Sequence, residues 1–486
     1  MKRSTPITIE WKPDRNKNIP VYKQIIAYIC EQAASGRWPI GGRLPSQRTL
    51  AGMFGVNRST ITAALEELAS YGILKSSYGA GTQIASNTWS LLLPSTWNQY
   101  VSSGYFQANQ AAIQAINHLE FVPDMIRLGT GEPDPRLFPK ELWEETLSGL
   151  KERIDSLGYL EPLGLLPLRQ AISEHMKVLD IHVPPSSILI TSGSLQALQL
   201  ISVCLLKTGS TIFTEAPSYL KSLHIFQSEG MCLSGIPMDK QGISIPALEQ
   251  RLKAGRSSGS PVLYTIPTNH NPTGITMTDR RRQELKSFCA ANRLPIIEDG
   301  TYEELSFDDT PLKPLKASDK TGNVIYLGSA SKALAPGLRI GWVSADEPIV
   351  QRLGDVKMQM DYGASSISQW IFAEFLSRGF YDAYLADLKG ELRRRRDNAL
   401  ASLETHFKGI ASWNIPTGGF FIWLTFLREI SVDALFEKAA RAHILLNPGD
   451  IYDFKKSNSL RLSYSYVSCE EFRKGAGELA RIVKEL

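Results

Sequence analysis

Residues 328–342 read GSASKALAPGLRIGW. One lysine, Lys332, stands between the end of an apolar run, Val324–Leu327, and a turn built on Pro336 and Gly337. A strand end followed by a glycine-proline turn is a poor place for a merely solvated charge. Burial disfavours the charged form of an amine, and a nearby cation such as Arg339 lowers its proton affinity further. A lysine in such a place has an amine free to form an imine with a carbonyl carbon. Ser329 and Arg339 flank it with a hydroxyl and a guanidinium, groups that suit a phosphate.

Three further segments upstream carry chemistry. Asp299, in Ile297-Glu298-Asp299-Gly300-Thr301-Tyr302, closes an apolar strand. A carboxylate there is costly unless it meets a cation. A protonated pyridine nitrogen is one such partner; a helix cap or an arginine would serve as well. The run PTNHNPTG contains Asn271, which Pro272 biases toward an extended conformation. Thr191-Ser192-Gly193-Ser194-Leu195-Gln196 follows a strand and opens the helix LQALQLISVCLL. Its glycine permits close backbone approach, and the free N–H groups at a helix start favour a phosphate. From Asn271 to Asp299 is 28 residues, from Asp299 to Lys332 is 33, and from Lys332 to Arg339 is 7.

Around these segments, from about residue 109 onward, helical stretches alternate with short apolar strands. The expected strands are Ile188–Thr191, Thr211–Thr214, Val262–Thr265, Ile296–Glu298, Val324–Leu327 and Ile340–Val343. Such alternation predicts an α/β domain with a mostly parallel sheet covered on both faces. Ligands of such sheets sit at the C-terminal strand ends, where the segments above fall.

The first 85 residues are different. They carry 11 Lys/Arg against 5 Asp/Glu, whereas the other 401 carry 42 against 44. A basic head on a near-neutral body fits a polyanionic partner, although the excess could serve solubility alone. The spacing predicts helices over 20–35, 46–54 and 58–71, with proline near the start of the first, Gly36 past its end and a capping serine, Ser46, on the second. Ile73-Leu74-Lys75 and Thr82-Gln83-Ile84 flank a turn with Gly79 and Gly81 and predict a two-stranded wing. This is the layout of an α+β winged helix-turn-helix, whose second motif helix enters the major groove by its N-terminal end. Arg58, Ser59 and Thr60 occupy that end, with Arg48 and Arg43 just upstream. Residues 86–108, rich in Ser, Asn, Thr and Gly with isolated aromatics, read as a linker whose Trp89, Leu91–Leu93 and Trp97 either dock or hang free.

With 486 residues, 43% hydrophobic and 21% charged, the chain has material for roughly two to four domains and is not wholly disordered. No stretch approaches the roughly 20 apolar residues of a membrane span, and no signal-peptide core follows the start. The five cysteines never form a C-x-x-C pair, so neither a disulfide framework nor a metal site is expected, and a reducing cytoplasm fits.

The run GGRLPSQRTLAGMFGVNRSTITAALEELASYGILKSSYGAGTQIA resembles the GntR family of bacterial regulators. It departs from the family at Asn57, where serine is commoner, and in its weakly basic wing segment Lys75–Tyr78. The resemblance implies binding to a double-stranded DNA operator through Arg43, Arg48, Arg58, Ser59 and Thr60.

From about Leu128 onward the chain resembles fold-type I pyridoxal 5'-phosphate (PLP) enzymes, the aspartate aminotransferase superfamily. That likeness implies PLP as cofactor, with Lys332 forming the internal aldimine and Asp299 pairing with the pyridinium nitrogen. It implies that Asn271 and Tyr302 hold the ring's phenolic oxygen and that Tyr219 stacks on the ring face. Ser194, Leu195 (through its backbone), Ser329 and Arg339 are implied to hold the phosphate. Arg461 would bind an effector's carboxylate as a bidentate fork, and Gly131 and Tyr159 would complete the mouth. Lys221, two residues past Tyr219, reads as a surface charge or a second cation near the ligand.

Joined by the linker, the two parts resemble the MocR subfamily, with domains expected at 1–85, 86–108 and 109–486. The resemblance implies a cytoplasmic, PLP-dependent transcriptional regulator acting as a homodimer, head-to-tail and domain-swapped. An amino acid or amine effector would displace Lys332 and form an external aldimine. Two other readings stay open: a working aminotransferase that also binds DNA, and a regulator that senses PLP itself.

Overall fold

The computed structural model describes residues 9, 11–35, 37–38, 42–70, 73–77, 81–85, 111–151, 153–154, 156–254, 259–308 and 312–486. The chain divides into two compact units, Met1–Gly104 and Tyr105–Leu486. The expected linker, 86–108, with Gly36 and Gly79, lies outside the described residues.

In the head, helix α1 (Val21–Ala34) follows Pro20 and buries Ile25, Ile29, Cys30 and Ala33, one helical face. Helix α2 (Gln47–Phe54) starts where the Ser46 side chain accepts from Thr49 N at 3.2 Å. It ends at Gly55, whose φ of 67° is left-handed and favours glycine. Helix α3 (Arg58–Ser70) turns Ile61, Ala64, Leu65 and Leu68 inward. Strands β1 (Leu74–Ser77) and β2 (Gly81–Ile84) pair antiparallel with Leu74 opposite Ile84, forming the wing. The wing strand runs two residues further toward its turn than the apolar residues indicate, because backbone pairing continues through Ser76 and Ser77. Trp11 stacks on Tyr28 with ring centroids 4.5 Å apart and closes the core with Phe54 and Trp38, a contact between distant positions that local periodicity does not reveal.

The body begins with helix α4 (Ala111–Leu119) and the short strand β3 (Ile126–Arg127). Its main sheet is built from β4 (Ile188–Thr191), β5 (Thr211–Ala216), β6 (Cys232–Asp239), β7 (Gly242–Ile243), β8 (Val262–Thr265), β9 (Ile296–Asp299), β10 (Val324–Ser329) and β11 (Gly341–Ser344). Their spatial order is β4-β11-β10-β9-β8-β5-β6-β7. The run β10-β9-β8-β5-β6 is parallel, whereas β11 runs against both β10 and β4, and β7 against β6. β4, β8, β9 and β11 are buried along their whole length, as near-continuous apolar strands should be. β6 escaped the apolar pattern because it lies near the sheet edge with most of its residues only partly covered.

The C-terminal part adds β12 (Ala411–Trp413), β13 (Phe421–Phe426), β14 (Ile444–Leu445), β15 (Asn447–Pro448) and β16 (Ser459–Ser463). β12, β13, β16 and β15 make an antiparallel sheet, while β14 pairs parallel with β3. Helix α5 (Ser194–Leu205) follows β4, and the long α6 (Phe380–Phe407) packs against α7 (Cys469–Lys484). α7 opens on a capping box of Ser468 and Glu471. Among the described residues no helix is long and apolar enough to cross a membrane.

Arg395 of α6 ties these pieces together. Its guanidinium donates to Asp134 at 2.8 Å, to Glu391 at 2.7 Å, and to the carbonyls of Ser465 and Val467 at 3.0 Å each. Asp134 is almost wholly buried, and its hydrogen bonds with Arg136 and Arg395 hold its carboxyl below the ordinary range despite burial. Arg395→Met is expected to cost about 3 kcal/mol, the low end for a broken buried pair because Arg136 remains beside Asp134. Urea denaturation followed by circular dichroism would read this; a midpoint equal to the parent's would contradict it.

Candidate functional site

The parallel strands carry their chemistry at their C-terminal ends: Thr191 at the end of β4, Asp299 at the end of β9 and Ser329 at the end of β10. β11 starts where those strands finish, so Arg339, two residues before it, reaches the same edge. A cavity of about 400 Å³ opens there. Ser194, Leu195, Tyr219, Asn271, Asp299, Tyr302, Lys332, Gly131 and Arg461 all line it. Residues spread over more than 300 positions of sequence thus meet at one place.

Lys332 lies in a single helical turn capped by Ser329, whose side chain accepts from Ser331 N at 3.1 Å. Its Nζ donates to the Gly131 carbonyl at 2.7 Å, and among the described residues it forms no ion pair. Burial pushes the amine down to about 8; Arg461 and Arg339 add to the fall, while Glu132 opposes it. About a tenth of the amine is therefore unprotonated at pH 7, against well under a thousandth for an ordinary lysine.

Asp299 is held on both oxygens. Oδ2 accepts from the Tyr264 hydroxyl at 2.7 Å, and Oδ1 accepts from Thr301 N at 3.1 Å and Thr301 Oγ1 at 2.5 Å. Asn271 donates to the Tyr302 hydroxyl at 3.3 Å, and its carbonyl accepts the Tyr219 N–H at 3.1 Å. The Asn271–Pro272 bond is cis. Burial pushes Tyr219 up to about 12, with Asp299 adding to the effect, so its hydroxyl stays neutral.

Arg461, on β16, is 6% exposed. It donates to Asn271 Oδ1 at 2.9 Å and to the Gly129 carbonyl at 2.8 Å. With its oxygen turned toward Arg461, the Asn447 amide accepts from the same guanidinium at 2.7 Å. The guanidinium carbon sits 4.3 Å from the Phe421 ring centre and 4.8 Å from that of Tyr452. Among the described residues its Nε has no hydrogen-bond partner and the guanidinium no carboxylate.

At the other end, α5 begins at Ser194 after Gly193, whose φ is 88°. A Cβ on Gly193 would lie 2.6 Å from an Arg339 guanidinium nitrogen, and one on Gly341 would lie 2.8 Å from Ser194 N. Only glycine at both points lets Arg339, Ser329 and the start of α5 converge. Arg339 itself donates to the Ser192 carbonyl at 2.9 Å. Ser329 and Arg339 border this corner from behind and are not among the cavity's lining residues.

Tyr159 is not brought to the cavity. It is 84% exposed, with its ring centre 5.0 Å from that of Tyr362 on the body surface. Lys221, in the turn Tyr219–Ser222, is half-buried and also lies outside the lining, as a surface charge would. Sequence reasoning missed Tyr264, Thr301, Asn447, Tyr452 and Glu120. Thr301 stood beside Asp299 and could have been found as a candidate Asx-turn partner; the others reach the site only through tertiary folding.

In the head, Arg43, Arg48, Arg58 and Ser59 are exposed and Thr60 is half-buried. Arg58 and Ser59 open α3, and Arg48 lies in the first turn of α2. Thr62 of α3 donates to Gln47 of α2 at 3.3 Å, a link between the two motif helices.

The donor set of the cavity fits PLP. An amine without a carboxylate partner, a carboxylate for a ring nitrogen, a neutral tyrosine, a helix start beside an arginine and a guanidinium with a free N–H are the groups it requires. Residues 123–479 match the family of class I and II aminotransferases, and residues 21–84 match the gntR family of bacterial regulatory proteins. The HTH-type transcriptional regulator YisV of Bacillus subtilis is 47% identical over 480 residues, covering 98% of this chain and 99% of that protein. The HTH-type transcriptional regulator NorG of Staphylococcus aureus is 33% identical, over 91% of this chain and all of that protein. Among solved structures, a Pyrococcus horikoshii kynurenine aminotransferase aligns with a TM-score of 0.76 and 31% identity, covering 81% of this chain and 99% of that one. The α-aminoadipate aminotransferase LysN of Thermus thermophilus gives 0.73 and 30%, covering 80% and 99%. The chain belongs to the MocR-like family of transcriptional regulators, in which a GntR-type DNA-binding head is joined to an aminotransferase-like PLP domain.

Proposed function

We propose that the body senses a small molecule bearing an amino group and a carboxylate, and that this sensing sets how the head engages an operator. The observation that supports the reading is the meeting, in one cavity, of a Lys332 amine that among the described residues has no carboxylate partner with a buried Arg461 whose Nε is unpartnered. Bound there, PLP would supply an aldehyde carbon that takes amines and a ring that accepts electrons. Asp299 would hold a proton at the ring nitrogen, with Tyr264 and Thr301 fixing its carboxylate. Asn271 and Tyr302 would orient the ring's oxygen, and Tyr219 would cover its face. The N–H groups of Ser194 and Leu195, with Ser329 and Arg339, would hold the phosphate. Arg461 would fix the effector's carboxylate, so that the effector's amine replaces Lys332 Nζ on the aldehyde carbon. The released amine is the local change that a two-state body would transmit.

We further propose a cytoplasmic homodimer, domain-swapped, whose two heads shift on double-stranded DNA. The exposed Tyr159–Tyr362 pair is the kind of surface a second copy covers. Slow transamination is a second reading, favoured by the Lys332 amine, which near neutral pH is a competent proton carrier once released.

Lys332→Ala is expected to abolish the visible imine absorbance of the PLP-loaded protein while leaving operator binding by the head; a persisting band would refute the role of Lys332. Because the amine is lowered to about 8, its nucleophilic form accumulates as pH rises through that value. The rate at which protein stripped of PLP regains the visible band should therefore climb to a plateau just above pH 8. A climb continuing past pH 10 would show an unperturbed lysine. Arg58→Ala should weaken operator binding about tenfold or more in a gel shift, with the cofactor spectrum unchanged. Equal affinity would remove Arg58 from the interface.

A further inference from the structure

Two carboxylates in the cavity have no task in the scheme above. Glu120 follows the last turn of α4, with its N–H donating to the Ile116 carbonyl at 2.9 Å. A carboxylate there faces the negative end of the helix dipole, so helix stability does not account for it. Its side chain accepts one hydrogen bond, from Thr130 Oγ1 at 3.0 Å. Glu132 follows Gly131, whose carbonyl holds Lys332 Nζ, and its own carbonyl accepts from Ser465 Oγ at 2.7 Å. Both glutamates line the cavity, and among the described residues neither forms an ion pair. Both also raise the proton affinity of Lys332.

The cavity therefore offers an open cation, Arg461, which is 6% exposed with its Nε unpartnered, and two open anions. The same lining also carries apolar surface from Ile113, Ile116 and Ile451. A ligand with a second carboxylate would set like charges together in a partly desolvated space. A neutral side chain would leave both glutamates unpaired. A cationic group on a methylene stem would pair with them and lay its stem on the isoleucines. We propose that the effector is an amino acid whose side chain carries a second positive charge, with Glu120 and Glu132 as the residues that select it. The inference rests on the reading of this cavity as an effector site.

The test uses the full-length, PLP-loaded protein, titrated with L-ornithine, L-lysine, L-norleucine and L-glutamate. The visible band and isothermal titration calorimetry are the two readouts. Ornithine or lysine should bind about tenfold to a hundredfold more tightly than norleucine, as a charged hydrogen bond allows, and glutamate most weakly. In Glu120→Gln the preference for the basic amino acid over norleucine should fall toward unity. Should that variant fail to fold, Glu132→Gln should show the same fall. Norleucine or glutamate binding as tightly as the basic amino acids would overturn the ligand class and leave amine sensing intact. A full preference surviving both glutamine substitutions would overturn the assignment to these residues. Silence of all four ligands in both readouts would overturn the sensing reading, and this inference with it.

Discussion

Strand β11 lies between β10 and β4 and runs against both, which places its first residue, Gly341, opposite Ser329 on one side and Thr191 on the other. Had it run parallel to its neighbours, the segment before it would emerge at the opposite edge of the sheet, and Arg339 would be a strand's length away. Its direction brings Arg339, the start of α5 and the turn bearing Lys332 into one corner. The approach is close enough that side chains are excluded at Gly193 and Gly341. Gly328 meets the same constraint, since a Cβ there would lie within 2.1 Å of the Trp342 ring. The corner is thus set by backbone packing before any charged group is considered.

The electrostatics of the body follow from that geometry. Lys332 and Arg461 are both drawn into the cavity, and among the described residues neither forms an ion pair. Arg461 is compensated by carbonyl and amide oxygens and by two aromatic faces, which stabilise a guanidinium without neutralising it. Lys332 has one carbonyl, and its lowered proton affinity records the shortfall. A buried guanidinium and a half-buried amine left open to a ligand are costly for a fold, and such groups mark functional sites more often than structural ones.

Much of this was legible in the sequence, for a physical reason. Strands buried on both faces must be apolar throughout, so β4, β8, β9, β10 and β11 announced themselves, and polar residues at their ends stood out against them. The head was equally plain, because Ser46 and Gly55 punctuate its helices as caps do. The half-exposed β6 lacked such a run, and in the C-terminal sheet only β13 (Phe421–Phe426) carries one, beside the short or polar β12, β15 and β16. Trp11, Tyr264, Asn447, Tyr452 and Glu120 owe their roles to contacts between distant segments, and nothing in their neighbours' spacing foretells those contacts. Tyr159 fits the expected family position, yet within a single chain it faces solvent.

The anchoring of Arg461 has a kinetic side. Its guanidinium is clamped between Phe421 and Tyr452 and fixed by Asn271 and Gly129, so little rotamer freedom is left to lose when a carboxylate arrives. On the proposed reading, every ligand bearing that group would meet the same ready-made receptor, and the first encounter would discriminate poorly among them. Discrimination must then reside in how long each one stays, a property set by what the rest of the molecule finds in the cavity. If the body senses amino acids as proposed, a receptor arranged in this way would sample many of them quickly and answer to the one with the longest residence.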